Sequence, residues 1–486
     1  MVMPPRYCLL PCSLLLIGSL FALDSHAQLT ETFKPVPTYD GTNTRLIDDL
    51  RQQFDDEMKR MGSRKTAGIA TLYGRNTKYL VSLVRASKIV KDEEMRAFVD
   101  TIFNDLKRHT KLRSTPRRVL IAKLSSSNAT CMGEGTFLLT TGLLGRIDNE
   151  SQLAFTLAHE IAHYELGHIR EAIEKMAREK YERKIKQGMT KILTDDDADG
   201  GDVDSVRKIV YDMTRFSRVH EREADSLGLI IARQAGYNTE ESISLLSILD
   251  SLDYTKHKLG YALFDEFQFS KYPFQDHWLK PRMSLYTNRR ENVLFFSRDS
   301  LRTHPDITRR QEWLRKKLTP DDSPFNKRPT PYVDEIISLA QFEDLHVAYK
   351  LQRFDYAMLM ALQLKVDYPQ NAYLTSMITK IFIDIHALKG VYNDQTFRLG
   401  YVSYYGDELK LINAFQFNLS QEEVGEIAFN FLNNQKNFNA SDPEHYYLLW
   451  KICELTKRET VQARVKESFV KNFDKAKNRR YYDLMR

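Results

Sequence analysis

The sequence predicts an α+β fold that is mainly helical: a small sheet set among helices, followed by an all-helical C-terminal region. Three observations carry this. Two short apolar runs, "RRVLIAKL" (117–124) and "GTFLLTTGLL" (135–144), are rich in strand-forming residues and stand alone among helical patterns. The stretches from Leu46 to about Leu112 and from 332 to 486 have the periodicity of amphipathic helices with charge-rich turns such as "RQQFDDEMKR". The segment "LAHEIAHYELGH" (157–168) continues an apolar helix that carries three histidines and two glutamates.

At 486 residues the chain is long enough for two or three domains. With 42% hydrophobic and 28% charged residues it can bury a substantial core. A net charge of +6 on this length is too mild to argue for nucleic acid, and no arginine-rich arm is present.

The elements follow in order. Residues 1–27 read as a secretory signal peptide: Arg6, an apolar stretch from Cys8 to Leu23, then Ser25 and Ala27 before the cut. An uncleaved anchor is the alternative. No later stretch reaches the ~18 apolar residues of a membrane span. Residues 28–84 form a linker and helical segment, and 85–316 hold the sheet and the histidine-bearing helix. Glycines 133 and 135 predict a turn or bulge before the second strand. The histidine helix is expected to run on through "IREAIEKMAREKYERKIKQGM" and to break in "TDDDADGGDVD" (194–204). That run begins like a calcium loop, with Asp195, Asp197, Asp199 and Gly200. Val206 stands where the loop needs its glutamate, so a solvated loop is the reading. A further helix is predicted from about Asp204 to Ala235, capped by Gly236. Residues 250–300 read as aromatic-rich and irregular, and "SPFNKRPTP" (323–331) as a linker. In 332–486, "FDYAMLMALQLKVDYPQN" (354–371) places Ala357, Ala361, Leu364 and Pro369 at tetratricopeptide offsets. One such match leaves open both a repeat array and a non-repeating helical domain. After signal removal two cysteines remain, Cys131 and Cys453. A disulfide between them and two free thiols are both compatible with an oxidising compartment.

His159 and His163 lie four apart and so share a helix face, which suits two ligands of one tetrahedral zinc ion. Glu160 follows the first and is placed to act as general base, the logic of H-E-x-x-H hydrolysis. His168 tempts as a third ligand. On a continuing helix it points about 180° from His159, and the glycine that would turn the chain is out of register, so it is rejected in favour of a solvated or supporting role. "HEREAD" (220–225) is the better source: Glu221 can give an oxygen to the metal, and Asp225, one turn on, can accept from the far nitrogen of a ligand histidine. Ala224, Gly228 and Ala232 near that face would let two helices approach, while His220 and Glu223 point elsewhere.

Taken together, His159, Glu160 and His163 with Glu221, Ala224 and Asp225 resemble the HtpX-like and CAAX-prenyl-endopeptidase-like family of zinc peptidases. The chain looks closer to its secreted, BepA-like branch, which carries a helical repeat domain after the catalytic one, than to its membrane branch. The resemblance covers roughly residues 85–316. It implies a zincin-like, gluzincin-type metallopeptidase domain with a small edge sheet, a helical C-terminal domain over 332–486, and one Zn2+ per chain. "SNATCMGEGTFLLTTGLL" (127–144) resembles the family's segment before the metal helix, where an edge strand pairs with extended substrate. "THPDITRR" (303–310) resembles its later His-Pro…Arg motif. By that likeness His304 sits near the zinc, where it stabilises an oxyanion or gates the site, and Arg310 supports it.

The expected function is that of a periplasmic zinc endopeptidase acting on extended, unfolded or misassembled envelope proteins, with a partner engaged through the C-terminal helices. It has no nucleic-acid partner and no span after signal removal. The competing class is a chaperone-like helical scaffold with a latent or vestigial metal site.

Overall fold

The computed structural model describes residues 32–62, 66–114, 118–132, 134–179, 218–250, 255–280, 307–318, 332–391 and 406–486. The signal peptide, the acidic 194–204 run, the 323–331 linker and His304 lie outside the described residues.

Two N-terminal helices, α1 (Thr44–Met61) and α2 (Ala67–Arg85), precede α3 (Glu93–Lys107). The α3 helix starts where the side chain of Asp92 accepts from the Met95 amide, and it buries Met95, Phe98, Val99, Ile102, Phe103 and Leu106 as one stripe. Three strands follow: β1 (Arg118–Ala122), β2 (Ala129–Cys131) and β3 (Thr136–Thr140). Their order is β1-β3-β2, with β3 parallel to β1 and antiparallel to β2. The short α4 (Thr141–Leu144) leads to α5 (Glu150–Glu165) and α6 (His168–Glu179). A helix over 218–234 (α7), α8 (Glu241–Asp250), α9 (Leu259–Phe267) and α10 (Ile307–Lys317) complete this half.

The C-terminal region is helical throughout its described residues: α11 (Val333–Lys350), α12 (Phe354–Asp367), α13 (Ala372–Val391), α14 (Asp407–Asn418), α15 (Gln421–Leu432), α16 (Pro443–Leu455), α17 (Glu459–Asn472) and α18 (Arg479–Leu484).

Packing crosses the boundary expected at residue 316. Leu259, Leu263, Phe267 and Trp278 are fully buried in the core of the C-terminal helices, not in that of the sheet. The segment 250–300 therefore contains a regular helix, α9, whose aromatic residues serve the other core. The α11 helix joins both cores: Ile336, Ile337 and Ala340 face the sheet core, while Phe342, Leu345 and Ala348 face the helical one.

The first described residues form a strap across this seam. Phe33 packs with Phe342 and Tyr373 at ring-centroid distances of 5.4 and 4.8 Å, and Val36 belongs to the sheet core. The Val36 amide donates to Glu343 Oε2 at 2.7 Å, and Lys123 Nζ lies 2.8 Å from Glu343 Oε1. Glu343 is thus a buried carboxylate on the helical side, held by the strap and by the lysine that follows β1.

Candidate metal centre

Every residue of α5 from Glu150 to His163 is buried. A helix without a polar face is a central helix, and imidazoles on it must find partners inside the protein. His159 and His163 project one turn apart, with rings at 78° and Nε2 atoms 3.0 Å from each other. Glu221 on α7 reaches the same point. Its Oε2 lies 3.4 Å from His159 Nε2, and its Oε1 lies 3.4 Å from His163 Nε2. Tetrahedral zinc, with bonds of about 2.0–2.1 Å to nitrogen and oxygen, holds its donors roughly 3.3 Å apart. The three donors fit such an ion without rearrangement.

The approach of α7 to α5 depends on small residues. A Cβ on Gly228 would stand 3.1 Å from both the N and the Cα of His159. Ala224 and Ala232 are buried beside it.

The partners behind the donors set their orientation. His159 Nδ1 lies 3.0 Å from Asp225 Oδ1, which turns its Nε2 toward Glu221. Arg310, from α10, donates through Nε and Nη2 to the two Asp225 oxygens at 2.8 and 2.7 Å, and its Nη1 lies 3.0 Å from Glu221 Oε2. Burial works against the Asp225 charge, but the Arg310 guanidinium outweighs it and holds the carboxyl down at about 2. Burial likewise lowers His159, yet the Asp225 and Glu221 carboxylates outweigh it and lift the imidazole to about 9 in the metal-free protein. Arg310 was expected to support His304; within the described residues it locks Asp225 and Glu221.

His163 is held differently. Its Nδ1 lies 3.1 Å from His168 Nδ1, and His168 Nε2 lies 3.0 Å from Glu223 Oε2. Here the direction expected of His168 fails, while a supporting role is one of the two the sequence reading allowed. His168 neither points away nor faces solvent; it is buried against the back of His163. The cause is Gly167, whose φ of +78° breaks the helix and starts α6 at His168. His220 and Glu223, read as pointing elsewhere, meet His168 for the same reason. Glu165, without an expected role, accepts from the Lys111 amide at 2.6 Å.

Glu160 Oε2 accepts from the Cys131 amide at 2.8 Å. This amide comes from β2. Met132 and Asn128 exchange ladder bonds with Thr136 and Thr140, so by antiparallel alternation Ala129 and Cys131 turn their backbone groups away from β3. The strand beside the site is therefore β2. Within 127–144, where the resemblance implied a substrate-pairing edge strand, that edge is β2 and not the 135–141 run: β3 lies between β1 and β2 with both ladder edges taken. Cys131 and Cys453 sit in different cores and are not joined by a disulfide.

The fold and the donor set are those a metallopeptidase would need. Residues 93–318, a little under half of the chain, match the model of Peptidase family M48. The chain is similar to the "Beta-barrel assembly-enhancing protease" of Escherichia coli (strain K12), 25% identical over 181 residues, which is 36% of this chain and 37% of that protein. It is also 25% identical over 175 residues to the protein of that name from Yersinia pestis (35% and 36%). The "Putative beta-barrel assembly-enhancing protease" of Vibrio cholerae serotype O1 is 23% identical over 180 residues (36% and 37%). The matches span little more than a third of these relatives' length.

Proposed function

We propose that the chain is a zinc-dependent endopeptidase that cleaves unfolded or misassembled proteins of the cell envelope, from the periplasmic side. The observation that carries this is the convergence of His159, His163 and Glu221 on one point beside Glu160. Their histidine and carboxylate donors suit zinc, which when bound polarises a carbonyl and lowers the pKa of water. Glu160 takes a proton from the attacking water and returns it to the leaving amine, with the Cys131 amide fixing the carboxylate's direction. Asp225 and Arg310 keep His159 and Glu221 in place, and His168 keeps His163. An extended substrate pairs with the outward backbone groups of β2 around Ala129. No described helix is long and apolar enough to cross a membrane. The C-terminal helices offer the surface for an envelope partner.

The test is Glu160→Gln. The variant keeps its zinc, measured by elemental analysis, and loses cleavage of an unfolded protein substrate. Cleavage at the wild-type rate would sink the mechanism. A second reading, a scaffold with a latent site, is favoured by the burial of the centre, where His159, Glu160, His163 and Glu221 are 2–7% exposed. Rescue of a deletion strain by Glu160→Gln would select it.

A further inference from the structure

Behind His163 a second set of donors comes together, and the proposed mechanism uses only part of it. His168 and Glu171 lie three apart on α6, and His220 and Glu223 lie three apart on α7. The order His-x-x-Glu thus occurs twice, and residues three apart share a helix face. The two faces meet. The His168 and His220 rings stack 4.0 Å apart at 6°. His168 Nε2 lies 3.0 Å from Glu223 Oε2, and His220 Nε2 lies 3.4 Å from Glu171 Oε2. The imidazoles are nearly enclosed, with side chains 6% and 11% exposed, whereas the Glu223 and Glu171 side chains stand at the rim, 54% and 57% exposed.

We propose that His168, His220 and Glu223, joined by Glu171, form a second divalent-cation site separate from His159, His163 and Glu221. One donor atom from each of His168, His220 and Glu223 lies within 4.8 Å of the others. That spread is wider than the roughly 3.3 Å between donors of tetrahedral zinc. The carboxylates at the rim have solvent to swing through as they close on an ion, and a turn of the His220 ring out of the stack completes the set. Two imidazoles and two carboxylates are borderline donors, so the site takes a first-row transition ion such as zinc rather than calcium or magnesium. The carboxylates' two negative charges offset those of the ion.

The two sites share a hydrogen bond, so they are coupled. When His163 points Nε2 at the first ion, its hydrogen sits on Nδ1 and His168 Nδ1 accepts it. His168 Nε2 then carries the hydrogen that Glu223 accepts. An ion entering at His168 Nε2 takes the place of that hydrogen, which leaves to solvent as a proton. One hydrogen then serves both Nδ1 atoms. The second ion therefore binds more weakly than the first.

The test is calorimetric titration of zinc into the untagged, metal-stripped full chain, which reads binding without activity and so stands apart from the peptidase reading. The expected result is two ions per chain, one tight and one weaker. His220→Ala should lose the weaker ion and keep the tight one. Glu223→Gln, at the exposed rim, should weaken the second ion at least tenfold and carries the test if His220→Ala does not fold. A single ion in the wild type, or a second ion of unchanged affinity in the folded variants, would overturn the proposal.

Discussion

Replacing Arg310 by methionine removes a guanidinium that is 4% exposed and keeps most of its bulk. The two carboxylates it pairs, Asp225 and Glu221, are 0% and 2% exposed. In the wild type Asp225 sits at about 2 against an ordinary 3.8. That difference corresponds to roughly 2–3 kcal/mol of folded-state stabilisation at neutral pH. Without Arg310, only the His159 imidazole still opposes the burial of Asp225, and breaking a buried pair by deleting one partner costs roughly 3–5 kcal/mol. The assay is amide hydrogen exchange of 218–234 in the EDTA-treated full chain, which reads the local opening of α7. A loss of about 3 kcal/mol appears as exchange roughly 100-fold faster. The pH dependence also changes. In the wild type the Asp225 contribution is present above its ordinary value and is lost as pH falls toward 2. In the variant only His159 is left to hold Asp225 down, so its carboxyl rises from about 2 and the loss of stability on acidification shrinks. A loss below about 1 kcal/mol, or an unchanged pH slope, would refute this account of the pair.

Two further outcomes follow from the same reasoning. Gly228→Val places a branched side chain against the His159 backbone, 3.1 Å from where even a Cβ would stand. It should part α7 from α5 and weaken zinc binding about tenfold or more, measured against a competing chelator; overpacking of roughly 1–3 kcal/mol sets that scale. Asp344 is buried in the helical core, where burial lifts it to about 7. Its Oδ2 accepts from the Tyr356 hydroxyl at 2.8 Å, and its Oδ1 has no hydrogen-bond partner among the described residues. A carboxyl raised in the folded state costs stability as pH rises from 3.8 through 7. Asp344→Asn should therefore gain over the wild type between pH 5 and 8, by at most roughly 4 kcal/mol. Equal melting-temperature differences at both pH values would contradict this.

The local parts of this protein were legible because they rest on short-range rules. Helical periodicity located α3 and α5, strand-forming residues located β1 and β3, and four-residue spacing put His159 beside His163 and Glu221 beside Asp225. Ala224, Gly228 and Ala232 announced the close approach of α7. What escaped was set by chain direction and by distant partners. Gly167 is a single residue in a strong helical pattern, yet its positive φ sends His168 to the back of His163. It was visible in "YELGH" as a glycine after the last periodic residue, the signal of a helix end. Strand order was not legible, because a three-residue β2 carries too little pattern to reveal that it, and not β3, lies beside Glu160. The aromatic residues of α9 were read as irregular because their burial partners, Phe382 and Phe415 among them, lie more than a hundred residues away.

The strap at Phe33 and Val36 has a consequence in time. The bond from the Val36 amide to Glu343 closes a separation of 307 residues. Closing a loop of that length costs about 5 kcal/mol in chain entropy before any constant term. It also cannot form until residue 343 has been synthesised, by which point the elements that carry His159, His163, Glu221 and Arg310 have all been made. The order of synthesis thus separates the building of the metal centre from its attachment to the helical region. The first described residues of the chain are held in reserve for the final seam.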